Sequence, residues 1–321
     1  MFRGHTVAVV LPAHDEAAFV GDVLSAIPPC VDRVYLVDDA STDDTATVAL
    51  DAADPTTDSR LPVDPAERPA ANDAASATAA ARVLDRRTMS TDRRGRLRVL
   101  RHGANRGAGG AVVTGYLAAL ADRVDLVATV DADGQMDPTH LTRLLDPLVE
   151  GTAAYAKGTR LRRRADRAAF PVVRLVGNAL LTGLSRVATG YWSLSDPVNG
   201  FTAMTGRALA AVDPASTYEG YGYGIDVLAR LRAADEAVID VPHPSAYGDE
   251  SSGIDLTTYV PRVSRLLAVS FLGRIRREHL SSRLDRSTPV DAGRWTLAGA
   301  ATGIRSLVGV LGGAGSGGDR P

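Results

Sequence analysis

Two apolar runs in this chain each stop abruptly at carboxylates. Val34 to Val37 (VYLV) ends on Asp38 and Asp39, and Leu126 to Val130 (LVATV) ends on Asp131, with Asp133 two residues further on. A continuous β-branched run with no polar alternation is what a strand buried on both faces needs, and such strands belong mostly to parallel sheets covered by helices. Thr6 to Leu11 (TVAVVL) is a third run of this kind, followed by a polar turn and an amphipathic stretch from Ala17 to Ile27. Arg98 to Leu100 makes a shorter fourth, and Ser41, Thr42 and Asp43 are N-cap candidates for the helix after the second. Four strands, each followed by a turn and a helical segment, predict an α/β, mainly parallel, doubly wound sheet flanked by helices. Ligands of such sheets bind in the crevice outside the carboxyl ends of the strands, where these aspartates fall.

A chain of 321 residues is long enough to bury a sizeable core. Its 36 basic and 38 acidic residues nearly cancel, to a formal charge of −2, which excludes the uniformly basic surface of a nucleic-acid binder and predicts no nucleic-acid partner. The single cysteine, Cys30, rules out an intrachain disulfide framework and fits a reducing, cytoplasmic compartment. The opening MFRGHTVAVVLPAHDE reads as a strand and not as a signal peptide, and no apolar stretch reaches the ~18 residues of a spanning helix.

The organisation expected is a main α/β domain over 1–254, a helical C-terminal segment over 255–311 and a flexible Gly-rich tail over 312–321. Within the main domain, the stretch 54–96 is rich in Ala, Asp, Arg, Pro and Thr with almost no large apolar residues, and is expected to be a disordered or weakly helical surface insertion. After Tyr155 the strand–helix rhythm loosens. Helices are predicted over Val172 to Thr189 and Tyr259 to His279, and this C-terminal half is expected to build the acceptor side of the site.

The D-x-D pair Asp131 and Asp133, with Gln135 beside it, offers oxygen ligands of the kind that hold Mg²⁺ or Mn²⁺ against a substrate's phosphates. A departing diphosphate needs that neutralisation as its bond to sugar breaks. The same two carboxylates would equally serve as caps for a helix starting near Pro138. Asp38 and Asp39 can accept the N–H of a pyrimidine or purine ring, or act as caps in their turn. Asn105, Gly107, Gly109 and Gly110 in NRGAGGAV form a strand-to-helix turn that lets backbone approach a ligand, although the spacing is not the dinucleotide fingerprint G-x-G-x-x-G.

Taken in order, LPAHDE, VDDASTDDT, NRGAGGA, DADGQMDP, KGTR, the Arg174 to Asn178 spacing and DPVNGFTAM resemble the motifs of the family 2 glycosyltransferases, most closely the polyprenyl-phosphate (dolichyl-phosphate) hexosyltransferase branch. The resemblance runs from about Val7 to Ile254. It implies a Rossmann-like GT-A fold and transfer of a single hexose-type sugar from a nucleoside diphosphate sugar to a polyprenyl phosphate, by metal-dependent inverting displacement. Carried over by motif, Pro12, His14, Glu16, Asp38, Asp39, Asn105, Gly107, Asp131 and Arg160 would bind the nucleotide sugar. Asp131, Asp133 and Gln135 would hold Mg²⁺ or Mn²⁺, and Arg174 and Asn178 would meet the acceptor. His14, Asp15 and Thr202 depart from the family pattern, and the last of these removes a phosphate ligand.

A hydroxyl acceptor, soluble or on a glycan, would need a general base, for which Asp196 in SDPVNG is the candidate, with Asp133 the other catalytic residue. A lipid phosphate would need none. Rival readings are a sugar nucleotidyltransferase, which would carry a Gly- and Arg/Lys-rich loop where PAHDE stands, and a non-catalytic sugar-nucleotide-binding protein. Tyr259, Val260, Val263, Leu266, Leu267, Phe271 and Ile275 recur at helical spacing among Arg262, Arg265, Arg274, Arg276 and Arg277. Such a basic amphipathic helix suits either a lipid surface, making the chain peripheral at the cytoplasmic face of the membrane, or packing on its own domain.

Overall fold

A computed structural model describes residues 1–56, 74–159, 172–197, 199–243 and 256–285, except the side chains at 172–178, 256–259 and 280–285. By contact the chain divides into Met1–Arg277 and Glu278–Pro321. The first unit is built on one mixed sheet of β1 (Val7–Ala13), β2 (Arg33–Asp38), β3 (Ser90–Arg94), β4 (Leu97–Arg101), β5 (Leu126–Thr129), β6 (Tyr155–Thr159), β7 (Thr202–Thr205) and β8 (Val238–Pro242). The strand order is β3-β4-β2-β1-β5-β7-β6-β8. β1 pairs in parallel with β2 and β5, β2 with β4, and β6 with β8; β3 runs antiparallel to β4, and β7 antiparallel to β5 and β6. The chain thus moves outward from β1 to β4 and returns to β5 on β1's other side, which opens a crevice at the carboxyl ends of β1 and β5.

Helices cover both faces: α1 (Val20–Ala26), α2 (Thr45–Ala52), α3 (Ala74–Arg87), α4 (Gly107–Ala121), α5 (Leu141–Val149), α6 (Val172–Thr189), α7 (Gly206–Val212), α8 (Tyr223–Ala233) and α9 (Leu256–Asp285). Alternate residues of each central strand serve the two layers. Val7, Val9 and Leu11 join a core with α1, α2 and α5, while Ala8 and Val10 join one with α3, α4, α7 and α8. Burial on both sides is why these strands read as unbroken apolar runs.

One expectation is corrected. The stretch 54–96, expected to be a disordered or weakly helical surface insertion, is from Ala74 onward a helix, α3, packed into the core and followed by strand β3. Ala77, Ala80 and Leu84 of α3 are buried, and β3 pairs with β4 from Ser90↔Arg101 to Arg94↔Leu97. Alanines spaced along one face let α3 lie close on α4 with little bulk, so scarcity of large side chains did not mean absence of a core contact. Residues 57–73 lie outside the described residues. Of the two uses expected for the apolar stripe of the last helix, a lipid surface or packing on its own domain, four positions take the second: Val263 and Leu267 are buried with Ala188 and Ile225, and Leu266 and Phe271 pack against them, while Val260 stays exposed. Arg274 is drawn into the same packing, donating to Val187 O at 2.9 Å. This packing runs through residues up to Arg274, so most of α9 groups by contact with the first unit.

Candidate active site

The β5 strand ends in a segment whose alternation separates structure from chemistry. Ala132 is buried in the core, while Asp131 and Asp133 on either side of it are only partly buried. Asp133 Oδ1 accepts the Gln135 backbone N–H at 3.0 Å. The capping duty open to these carboxylates falls instead to Asp137, whose Oδ1 accepts the Thr139 N–H at 2.9 Å at the start of the helical turn Pro138–His140. Burial raises the phenols of Tyr116 and Tyr223, and the neighbouring Asp131 charge adds to both shifts.

Opposite Asp131 runs the segment leading into β7. A Cβ at Gly200 would stand 2.6 Å from Asp131 Oδ2, so glycine is needed for the chain to pass the carboxylate so closely. The same segment holds Asp196, which is buried and accepts from Asn199 Nδ2 at 3.3 Å. Asn199 in turn lies 3.1 Å from His243 Nε2, and its carbonyl accepts from the buried Lys157 Nζ at 2.6 Å. The motif reading gave Lys157 and Asn199 no role although they lie in KGTR and DPVNGFTAM, and it did not reach His243, because only the sheet brings together β6, the β7 approach and the end of β8. Thr202, the departure from the family pattern, is buried within β7 and paired with Thr129, so it lies in the sheet itself.

At the ends of β1, β2 and β4 the other predicted residues gather. Pro12 pairs with Val37 and Ala13 with Asp38; the Asp39 N–H donates to Ala13 O at 2.9 Å and the His102 N–H to Asp38 O at 2.9 Å. Asp38 Oδ1 accepts the Ser41 N–H at 2.9 Å, and Arg101 stands 3.9 Å from Oδ2, so this carboxylate is largely occupied in holding its own turn. Asp39 Oδ1 accepts from His102 Nδ1 at 2.6 Å and from the Arg106 N–H at 2.8 Å. Glu16 is fixed at its backbone by Thr45 Oγ1 at 2.8 Å, and Asp15, in a left-handed conformation with φ of 58°, accepts the Thr42 N–H at 2.7 Å. That hydrogen bond holds the Asp15 carboxyl below the usual range. His14 Nε2 lies 3.1 Å from Asn105 Nδ2, joining the β1 turn to the β4 turn, and Asn105 Oδ1 accepts the N–H of Gly107, whose φ of 77° suits glycine. Arg160 lies outside the described residues, and the acceptor roles expected of Arg174 and Asn178 rest on side chains outside them.

The residues fit a hard divalent cation shared with a ligand. Among the described residues no three His, Cys, Asp or Glu side chains form a self-sufficient metal cage. Two carboxylates at one strand end, with further ligands supplied by a substrate's phosphates, is the usual arrangement for Mg²⁺ and chemically similar for Mn²⁺. A bound cation there would supply charge neutralisation to the leaving diphosphate.

Residues 72–212 match the family described as Glycosyl transferase family 2. The UDP-N-acetylglucosamine–dolichyl-phosphate N-acetylglucosaminyltransferase of Methanococcus voltae is 26% identical over 152 residues, 47% of this chain and 60% of that protein. The undecaprenyl-phosphate mannosyltransferase of Micrococcus luteus is 28% identical over 145 residues, 45% of this chain and 58% of its own length. The chain therefore spans less than two thirds of these relatives. Glucosyl-3-phosphoglycerate synthase from Mycobacterium tuberculosis, solved with Mn²⁺, UDP and glucosyl-3-phosphoglycerate, superposes with a TM-score of 0.52 at 18% identity over 84% of this chain and 80% of the other, a likeness of GT-A fold alone. The sheet, the strand-end carboxylates and the family match agree on a family 2 glycosyltransferase domain over residues 72–212.

Proposed function

We propose that this chain transfers a single hexose-type sugar from a nucleoside diphosphate sugar to a polyprenyl phosphate, by inverting displacement with Mg²⁺ or Mn²⁺. The observation that carries this reading is the convergence of two differently placed carboxylate sites on one crevice. Asp39 stands at the end of β2, beside the β1 turn, while Asp131 and Asp133 stand at the end of β5, with Asp137 relieving them of capping. One site suits the base of a nucleotide and the other its metal-bound diphosphate. Pro12, His14, Glu16, Asn105 and Gly107 would line the path between them, Asp131, Asp133 and Gln135 would hold the cation, and Arg160, Arg174 and Asn178 would meet phosphate. The two relatives named for polyprenyl-phosphate acceptors support the lipid acceptor.

A hydroxyl acceptor is the second reading, favoured by the buried Asp196, which the chain carries past Asp131 on the turn closed by Asn199 and Gly200. A lipid phosphate is already ionised and needs no such base. The deciding experiment incubates purified protein with Mn²⁺ or Mg²⁺ and a panel of UDP- and GDP-sugars, with and without polyprenyl phosphate. The expected product is a lipid-linked sugar and free nucleoside diphosphate, formed only when metal and lipid are both present. Turnover that needs a hydroxyl acceptor and ignores the lipid would establish the second reading, with Asp196 as its base.

A lipid acceptor implies contact with the membrane surface, and no helix among the described residues is long and apolar enough to cross a membrane. The outward side of α9 offers a different stripe from the one first expected: Val269 and Leu272, 61% and 64% exposed, lie between exposed Arg265 and Arg276 at helical spacing. Exposed Leu180, Leu184 and Val187 on α6 add a second apolar stripe. The expected result is that the protein floats with anionic vesicles, and that replacing Arg262, Arg265 and Arg276 by Ser reduces flotation as strongly as added salt does. Flotation unchanged in the variant would remove the electrostatic part of this reading.

A further inference from the structure

His102 is a fully buried imidazole outside every motif that drew attention in the sequence, and both of its ring nitrogens are engaged. Nδ1 lies 2.6 Å from Asp39 Oδ1 and Nε2 lies 2.8 Å from Thr114 Oγ1 on α4. A carboxylate oxygen only accepts, so Nδ1 carries the hydrogen in that contact. The same oxygen, Oδ1, also accepts the Arg106 N–H at 2.8 Å, whereas no described residue donates to Asp39 Oδ2. Asp39 is therefore held by one oxygen from two sides, which fixes its carboxylate plane and leaves the second oxygen to accept from a ligand.

The anchor behind His102 is itself tied down. Thr114 Oγ1 accepts from Arg87 Nε at 3.0 Å, and Arg87 also donates to Gly110 O at 3.3 Å and to Glu219 Oε1 at 2.7 Å. Arg106 stands 3.5 Å from the other Glu219 oxygen, and Arg87 holds the Glu219 carboxyl below its usual range. The backbone of Glu219 lies so close to Gly109 that no Cβ fits between them. The chain of contacts thus runs from Asp39 through His102, Thr114 and Arg87 to the 219–220 loop packed on the start of α4.

We infer that His102 is a positioning residue for base selection. It turns Asp39 so that Oδ2 accepts from a base with a ring N–H, the feature of uracil and guanine, and repels the ring-nitrogen acceptors that cytosine and adenine present at the equivalent place. This rests on the proposed reading of Asp39 as the base contact. A side chain that merely filled the space would keep the fold but release the carboxylate, and selection would fall while diphosphate binding persisted.

The test compares His102→Asn, whose amide nitrogen stands where Nδ1 stands, with His102→Gln, whose amide reaches only to the place of Nε2. Calorimetry with Mn²⁺ would measure UDP, GDP, CDP, ADP and inorganic pyrophosphate on the full chain. The parent and the Asn variant are expected to prefer UDP or GDP over CDP and ADP. The Gln variant is expected to lose about tenfold in that preference, the scale of one hydrogen bond to a charged group, with pyrophosphate affinity unchanged. Equal losses in Asn and Gln variants, through unfolding or otherwise, or a loss that extends to pyrophosphate, overturn the role of His102. If the parent binds none of the nucleotides, the reading of Asp39 falls with it. If Asp39→Asn abolishes the preference and the Gln variant retains it, the proposed function stands and only the inference about His102 fails.

Discussion

Replacing Asp133 by alanine is expected to lower kcat by about 100- to 1000-fold at saturating metal, the cost of removing one preorganised group that stabilises charge developing in a transition state. The fold should survive. Asp133 is only partly buried, and its Oδ1 accepts the Gln135 backbone N–H two residues away. The core position in the motif belongs to Ala132. The loss should appear in kcat with every donor sugar, because the lost interaction is with the diphosphate and not with the sugar or the base. Steady-state kinetics over a Mn²⁺ titration, paired with a thermal melt, make the measurement. An Asp133→Ala protein that keeps a tenth of parental kcat at saturating Mn²⁺ would contradict its assignment as a metal ligand.

Excising residues 74–94 should leave a chain that gives no cooperative unfolding transition. α3 buries Ala80 and Leu84 in the core shared with α4, Ala77 is buried as well, and Arg87 of α3 is tied to Thr114, Gly110 O and Glu219. β3 covers the whole outer edge of β4, and losing it would expose the backbone of an otherwise internal strand. The effect can be graded by point substitutions. Leu84→Ala should cost about 2–5 kcal/mol, a large share of the roughly 5–15 kcal/mol that holds a domain together. Asp85→Ala, on the exposed side of the same helix, should cost less than about 0.5 kcal/mol. Urea titration of the two variants separates a packed α3 from a surface appendage: equal midpoints would mean that the helix carries no core load.

What the sequence made legible is what depends on neighbours along the chain. A strand buried on both faces must be apolar throughout, so β1, β2, β4 and β5 could be read directly, and their boundaries moved by only a residue or two. A carboxylate that follows such a strand must emerge at its carboxyl end, so Asp38, Asp39, Asp131 and Asp133 could be assigned to one crevice before any coordinates. The helix over Val172–Thr189 was likewise written in its periodicity. β3, β6, β7 and β8 were not legible, since edge and antiparallel strands carry short mixed patterns such as STDRR and YAKGT whose pairing partners lie far away in the chain.

Tertiary structure alone decided which of two physically equivalent uses each remaining pattern serves. An apolar stripe at helical spacing satisfies a core or a lipid surface equally well, and only the proximity of Ala188 and Ile225 turned Val263 and Leu267 of α9 inward and left Val269 and Leu272 outside. Alanines at helical spacing suit a solvated helix or a close-packed one, and α4 lying alongside α3 settled that in favour of packing. Asp38 and Asp39 are neighbours of identical chemistry. Their difference comes from strangers in sequence: Arg101 and the Ser41 turn occupy Asp38, while His102 and the Arg106 N–H hold one oxygen of Asp39 and leave the other to the crevice. A hydrogen bond is decided by where two groups stand within about 3 Å of one another, and for residues brought together from different strands that distance is a property of the sheet and not of the sequence.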